Sequence, residues 1–293
     1  MIKVIVPATS ANLGVGYDCL GLALDEYATV YFEEIATGLE IIGCEEAYCN
    51  EDNLIYQAFL KGMQYLQKNC TGLRITMDTN IHYTRGLGSS ATCIVAGLAG
   101  ANALVGSPLN KYELFDLATQ MEGHPDNIAP AIFGGLCVSF MEEGKPNMIR
   151  YGIKKDLLFV TLIPDYEVNT KAAREVLPKQ MSYADATYQM GRCAALAKAM
   201  EIGNPLILRK ACTDKMQEPY RKHLIPQYED VKKLCQQQNM ITMFISGSGS
   251  TMIALTQEET DAKKLIEQIQ MLYPTWDCRL LHATYDGVQC EVI

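Results

Sequence analysis

Arg85-Gly86-Leu87-Gly88-Ser89-Ser90-Ala91 is the stretch on which the reading of this chain turns. Its two glycines allow backbone dihedrals closed to other residues and a close approach to a ligand. Ser89 and Ser90 can cap the helix expected from the small and apolar run that follows, Ala91 to Leu104. A helix N-terminus offers free N–H groups and the positive end of its dipole. Together these features suit a phosphate chain. No Gly-Lys-Ser/Thr ends the loop, so it is not a Walker A loop, and it does not match the dinucleotide Gly fingerprint. Read alone, the same residues equally describe a Gly-Ser turn that caps a core helix.

Three further polar stretches flank this loop in the chain. Glu122-Gly123-His124-Pro125-Asp126-Asn127 packs two carboxylates, an imidazole and an amide into six residues. Such a set suits a metal or a hydroxyl nucleophile, and it also suits a plain Asx-type turn. Ser246-Gly247-Ser248-Gly249-Ser250 lies between two apolar strands, as a hairpin loop or as backbone packed beside phosphates. Ser10-Ala11-Asn12-Leu13-Gly14-Val15-Gly16-Tyr17-Asp18 presents an amide at Asn12 and a carboxylate at Asp18 in a Gly-rich loop. Arg174 and Arg221 are candidate carboxylate clamps, although each in isolation also reads as a solvated surface charge.

The composition sets the frame for these motifs. At about 150 residues per domain, 293 residues predict roughly two domains. Hydrophobic residues at 48% and charged residues at 20% exclude a mainly disordered chain. No apolar run reaches the ~18 residues of a membrane span. The start, MIKVIVPATSANLG, lacks the basic and long apolar regions of a signal peptide. The net charge of −9 argues against nonspecific binding to nucleic acid or anionic membranes, but it leaves room for an anion in a locally basic pocket. The 11 Cys are odd in number and form no CxxC pair, so mostly buried reduced thiols and a cytoplasmic location are expected. The four His are widely separated, without the paired spacing of a structural zinc site.

Periodicity places the motifs on elements. Strands are expected at Ile2–Val6, Leu22–Ile35, Leu73–Met77, Leu136–Phe140, Leu157–Ile163, Ile241–Ile245, Met252–Leu255 and Asp277–Ala283, with a strand end at Asn80–Thr84. Helices are expected at Asn53–Lys68, after Ser90, and at Lys111–Met121, Ala184–Met200, Pro205–Lys215, Tyr228–Gln238 and Glu258–Leu272. The segment PATSANLGVGYDCLG reads as a loop. The balance shifts to long helices near residues 150–156, which marks the expected boundary between domains 1–155 and 156–293.

Taken in order, PATSANLGVGYDCLGLAL, RGLGSSA and ISGSGST resemble the three motifs of the GHMP kinase family of small-molecule kinases. GHPDNIAPAIFGG, NTKAAREVLP and EPYRKHLIPQY are most similar to the branch of that family whose acceptor is L-homoserine. The resemblance runs from Val6 to about Leu255. It implies an α+β fold of two domains. The N-terminal, ATP-binding domain would contain a left-handed βαβ unit, against the usual hand. The C-terminal domain would be ferredoxin-like with added helices, and the site would lie between the two.

The resemblance also assigns roles. ATP would lie on the segment His82, Tyr83, Thr84, Arg85, Gly86, Leu87, Gly88, Ser89, Ser90, Ala91 and Thr92. Ser90 and Glu122 would hold Mg2+, with Ser89 a close rival. Asn12 and Asp18 would contact the amine and hydroxyl end of homoserine, and Arg174 and Arg221 its carboxylate. His124, Asp126 and Asn127 would line the acceptor side, and Thr170 would reach the reacting region. The transfer would make O-phospho-L-homoserine, a threonine precursor. Phosphoryl transfer asks mainly for alignment and charge neutralisation, so no dedicated base is required, with Asp126 or Asp18 as the rival. A sister kinase acting on mevalonate or a sugar, and a non-catalytic sensor on the same fold, are the competing readings. Asp18 is an awkward neighbour for mevalonate, which has no ammonium. A homodimer is common among related kinases, and nothing in these residues proves one here. Three departures from the common pattern, His82, Thr84 and Ser250, bear on loop entry and nucleotide preference rather than on the chemistry.

Overall fold

The alternation of Ile2, Val4 and Val6 produces a strand whose inward side chains are all buried. The computed structural model describes every residue from Met1 to Ile293. The chain begins with β1 (Ile2–Asn12), β2 (Gly16–Glu34), β3 (Gly38–Ile42), α1 (Leu54–Tyr65), β4 (Gly72–Thr79) and α2 (Ser89–Leu104). It continues through α3 (Lys111–Glu122), α4 (Ile128–Phe133), β5 (Leu136–Glu142) and β6 (Lys145–Tyr151). The second half comprises β7 (Leu158–Ile163), α5 (Thr170–Glu175), α6 (Tyr183–Ile202), α7 (Pro205–Ala211), α8 (Glu218–Arg221) and α9 (Tyr228–Gln237). Then come β8 (Thr242–Ile245), β9 (Met252–Thr256), α10 (Glu259–Leu272), β10 (Asp277–Leu281) and β11 (Gln289–Val292).

The first sheet is built around β2. One edge of this 19-residue strand pairs antiparallel with β1. The other edge is shared, with β5 at Leu20–Leu22 and β4 at Ala28–Glu34. β3 and β4 pair in parallel, and α1 makes the crossover between them. The second sheet has the order β10-β7-β9-β8, with all pairs antiparallel. Helices α5–α9 lie between its first two strands in sequence and α10 between its last two, which is the ferredoxin-like βαββαβ arrangement. The helices start where side chains can take up free N–H groups. Asn53, Asn110, Asn169, Ser182 and Asn204 all cap in this way, and Asn110 forms a capping box with Glu113.

Helix α2 is the central element of the first domain. It is buried on nearly every side, so its sequence is rich in Ala and Gly. A Cβ on Gly97 would meet the backbone oxygen of Ile55 at 2.3 Å, and one on Gly100 would meet the Phe32 ring at 2.5 Å. The small residues are therefore required by the close approach of α1 and β2.

Two expectations are corrected. The stretch PATSANLGVGYDCLG is not an open loop but a hairpin, with β1 running to Asn12, β2 starting at Gly16, and only Leu13–Val15 turning. Leu13 and Val15 are buried because the hairpin tip plugs into the second domain. Residues 80–84 are not strand: β4 ends at Thr79 and Thr84 takes a φ of 54°. The two sheets are joined at both ends of the chain's path. β6 and β7 are separated by a short linker, but β11 returns to pair with β1, Ile2 opposite Val292. All eleven cysteines are unpaired; Cys137, Cys212 and Cys235 are buried, Cys49 and Cys290 exposed, and the rest half-buried. No helix is long and apolar enough to cross a membrane.

One of the three apolar cores belongs to both domains. Its 26 buried residues include Leu13, Leu20 and Leu22 from the hairpin and Phe159, Leu196 and Phe244 from the second half. A shared core couples the two units energetically. Phe159→Ala is expected to cost about 3–5 kcal/mol. Urea unfolding should show a single transition, shifted to lower denaturant, for both domains. Two separated transitions in the wild type would show that this core does not unite them.

Candidate active site

The loop 84–88 leads into α2 by a path that only glycine allows. Gly86 and Gly88 have φ values of 84° and 67°. A Cβ on Gly86 would lie 2.3 Å from the Ser246 oxygen, and one on Gly88 would lie 1.9 Å from Thr9 Oγ1. The neighbours that forbid a side chain here are the other two motifs. Ser246 Oγ donates to Gly86 O at 2.6 Å, Thr251 N donates to Arg85 O at 3.0 Å, and Thr9 N donates to Leu87 O at 3.1 Å. Gly247 N donates to Ala11 O at 3.0 Å. The three Gly- and Ser-rich stretches therefore form one interlocked backbone junction beneath the N-terminus of α2.

A cleft of about 120 Å³ opens over this junction. Asn12, Asp18, Thr84, Gly86, Gly88, Ser89, Ser90, Glu122, His124, Asp126, Asn127, Thr170, Arg174 and Arg221 all line it, together with Ala11, Gly247 and Ser248. Residues from both domains thus meet on one small polar space. The rest of the 82–92 segment supports the loop from outside the cleft. Leu87, Ala91 and Thr92 are buried. Thr92 Oγ1 donates to Gly88 O at 3.0 Å. Arg85 reaches the carbonyls of Pro164 and Asp165 and pairs with Glu167 at 3.1 Å. His82 faces β10, with Nε2 2.9 Å from Asp277 Oδ2. Asn12 has its amide committed to the junction: Nδ2 donates to Gly247 O at 2.9 Å, and Oδ1 accepts from Asp18 N at 3.0 Å.

At one end of the cleft the charges are arranged around an ion pair. Arg174 donates to both carboxylate oxygens of Asp18 at 3.0 Å and to the Tyr17 hydroxyl at 2.8 Å. Burial alone would lower the Arg174 pKa, but the bonds and charge of Asp18 raise it on balance. Arg221 is buried, held by Gln217 Oε1, Gly247 O and Ala173 O through Nε and Nη1, while Nη2 makes no bond within the protein. Burial pushes its pKa down. A buried cation with a free donor is a strong site for an anion.

The α3–α4 connection lies beside this pair, with ligand atoms of His124 and Asp126 within 4.8 Å of one of Asp18. Gly123 ends α3 with a φ of 91°, which turns His124 and Asp126 toward the cleft. His124 Nδ1 is 2.5 Å from Asp126 Oδ1, which also accepts from Asn127 N at 2.9 Å. Burial disfavours the charged imidazole, yet Asp126 outweighs it and the His124 pKa is raised. Thr9 Oγ1 donates to Asn127 Oδ1 at 2.7 Å. Gly21 permits this approach, since a Cβ there would lie 1.7 Å from Asp126 O. Thr170 is near the third motif, with Oγ1 3.4 Å from Ser248 Oγ.

Ser90 and Glu122 meet at the foot of α2, with Ser90 Oγ donating to Glu122 Oε2 at 2.7 Å. The Glu122 pKa is raised, chiefly by burial, with Ser90 and His124 opposing. Two hard oxygen donors beside the phosphate loop, one of them a carboxylate unfavourably charged in isolation, fit a Mg2+ ion. Asp18, His124 and Asp126 also place ligand atoms within 4.8 Å of one another. Arg174 already occupies Asp18, and His124 is bound to Asp126, so this trio is less suited to a cation.

A second pocket was not legible in the sequence. Tyr48, Asn53, Leu54, Tyr83 and Cys93 line a mainly apolar space of about 180 Å³, and Ser89 and Ser90 lie at its border with the phosphate loop. The Tyr83 hydroxyl is buried without a partner, and burial pushes its pKa up to about 12. The residues come from separate segments without a motif. The one available signal was Asn53, the α1 cap, just ahead of Leu54.

A helix N-terminus cradled by three glycine-rich motifs, between an α/β unit and a ferredoxin-like one, is the architecture of a small-molecule kinase. The chain belongs to the GHMP kinase family: residues 53–135 match the GHMP kinases N terminal domain and residues 193–275 match the GHMP kinases C terminal domain. Its curated relatives include a homoserine kinase of Clostridium botulinum (strain ATCC 19397 / Type A), 41% identical over 96% of this chain and 95% of the relative. The homoserine kinase of strain Alaska E43 / Type E3 is 43% identical over 87% and 86%. Among solved structures, homoserine kinase from Cytophaga hutchinsonii superposes with a TM-score of 0.87 at 26% identity, over 99% of this chain and 97% of that one. The L. major mevalonate kinase solved with R-mevalonate shares the fold, with a TM-score of 0.76 at 14% identity over 97% and 96%.

Gly86→Ala tests the junction. The added methyl must displace the Ser246 backbone, so nucleotide binding is expected to fall by an order of magnitude or more, with a cost of about 1–3 kcal/mol in stability. Calorimetric nucleotide titration together with thermal unfolding checks both. Unchanged nucleotide affinity would show that the loop tolerates a shift.

Proposed function

We propose that the protein transfers the terminal phosphoryl group of Mg-ATP to the side-chain hydroxyl of L-homoserine, forming O-phospho-L-homoserine for threonine biosynthesis. The observation that carries this reading is the charge pattern at the acceptor end. Asp18 complements an ammonium, and Arg174 and Arg221 complement a carboxylate, in a cleft only large enough for a small molecule. The names of the relatives supply independent support.

In this reading the apolar pocket beside Tyr48 and Tyr83 takes the nucleotide base. Thr84, Gly86, Gly88, Ser89 and Ser90 receive the phosphates through N–H groups and hydroxyls aimed by the α2 dipole. Ser90 and Glu122 hold Mg2+, which when bound neutralises phosphate charge as a Lewis acid. His124, whose pKa is raised by its partnership with Asp126, adds positive charge on the acceptor side when protonated. Thr170 and Asn127 help to confine the hydroxyl. Neither carboxylate is a free base: Asp18 is engaged by Arg174 through both oxygens, and Asp126 Oδ1 by His124 and the Asn127 amide. Alignment and charge neutralisation then carry the transfer, and the hydroxyl proton leaves late, to phosphate. All these groups come from one chain, so a homodimer is compatible but not needed for the site. The reading places the protein in the cytoplasm and calls for no nucleic-acid or membrane partner.

ADP release with Mg-ATP should be seen with L-homoserine and not with mevalonate, galactose or no acceptor. Turnover with another acceptor would discard the clamp assignment, and nucleotide binding without any turnover would favour a sensor. Arg221→Leu should weaken homoserine binding by about 2–5 kcal/mol with little change in ATP affinity. An equal loss for both ligands, measured by calorimetry, would remove Arg221 from the acceptor clamp.

A further inference from the structure

Tyr17 stands directly behind the acceptor end of the cleft without lining it. Its ring lies under both clamp arginines, with the Arg174 guanidinium 5.7 Å and that of Arg221 5.1 Å from the ring centre. Its hydroxyl accepts the 2.8 Å hydrogen bond from Arg174. Two guanidiniums near each other repel, and a ring within about 6 Å of both attracts each of them. Burial and the neighbouring Asp18 raise the Tyr17 pKa, so the residue is a neutral phenol that accepts from Arg174 without adding charge.

The Asp18–Arg174 pair gives this placement a consequence. With the cleft free, each member satisfies the other. A zwitterionic amino acid replaces both halves at once, its carboxylate taking Asp18's place on Arg174 and its ammonium taking Arg174's place on Asp18. A ligand with a single charge strands one member of the pair, at a cost. During the exchange Arg174 loses its carboxylate partner, and the Tyr17 hydroxyl is the fixed contact that remains.

We propose that Tyr17 is the positioning residue of the acceptor clamp, holding Arg174 beside Arg221 while the Asp18–Arg174 pair opens to admit an α-amino acid. This rests on the homoserine reading and deepens it. Tyr17 acts through the arginines, so its effect should follow the ligand's carboxylate.

The test compares wild type with Tyr17→Phe, which keeps the ring and removes the hydroxyl, and with Tyr17→Leu, which removes both. Steady-state kinetics with L-homoserine and ATP are combined with two competitors. 4-Hydroxybutanoate keeps the carboxylate and lacks the ammonium, and 3-aminopropan-1-ol does the reverse. Tyr17→Phe is expected to raise KM for homoserine roughly 10-fold, as for loss of a charge-assisted hydrogen bond. Its kcat should stay within about twofold and KM for ATP should not change. The inhibition constant of 4-hydroxybutanoate should rise in parallel, and that of 3-aminopropan-1-ol should not. Tyr17→Leu should exceed Tyr17→Phe in the same direction, with the ring providing partial rescue. A Tyr17→Phe enzyme equal to wild type overturns the proposal. So does a loss shared by both competitors and by ATP, which would mark a purely structural role. Absence of homoserine-dependent turnover in the wild type instead sinks the homoserine reading, and this proposal with it.

Discussion

Everything at the cleft depends on how closely the Gly86 backbone approaches the Ser246 backbone. The two segments are far apart in sequence and belong to different domains, yet no side chain fits between them. The contact is fixed by Ser246 Oγ, which donates to Gly86 O, and by Thr251 N, which donates to Arg85 O. It fixes the path of loop 84–88 and so the direction in which the α2 N–H groups point. Preorganised dipoles of this kind need not reorganise when charge shifts during phosphoryl transfer.

The junction would be loose if the domains moved freely. They are tied by the buried hairpin tip at Leu13 and Val15, by the shared core around Phe159 and Phe244, and by β11, which returns from the second domain to the first sheet. Polar contacts add direction. Arg85 joins the phosphate loop to the end of β7, and Arg279 reaches Glu26 on β2 at 2.5 Å. Thus the Gly-Ser loop and the charged groups of the cleft are held on one framework.

The fold by itself leaves the acceptor open, since one fold hosts many chemistries. In the proposed reading, selection rests on a few charges of the cleft. Asp18 is paired with Arg174 and His124 with Asp126, while Arg221 spends Nε and Nη1 on protein oxygens and keeps Nη2 free. Such pairing keeps buried charge from destabilising the empty enzyme. In the proposed reading it also makes entry an exchange of partners, which favours ligands carrying both signs of charge.

Much of the plan was legible in the chain alone. The Gly-Ser motifs require special dihedrals, and the apolar periodicity of segments such as Glu258–Leu272 matches α10 closely. These are local properties, set by the residues themselves and their immediate neighbours. Other features depended on contacts distant in sequence. Gly- and Asn-rich composition disguised the ends of β1 and β2, because pairing along the hairpin overrides the turn preference of those residues. Short exposed β3 and β11 carry little apolar alternation and form only because a partner edge is available. His82 sits in a motif segment yet turns to Asp277, while Tyr17, in the first motif but given no role by the sequence, stands behind both arginines. The apolar pocket beside the α2 N-terminus gathers Tyr48, Leu54 and Tyr83 from three segments. Local sequence determined which backbone can turn tightly and which segments are helical. Tertiary packing decided which side chains face one another, because that depends on how separate elements close over a common core.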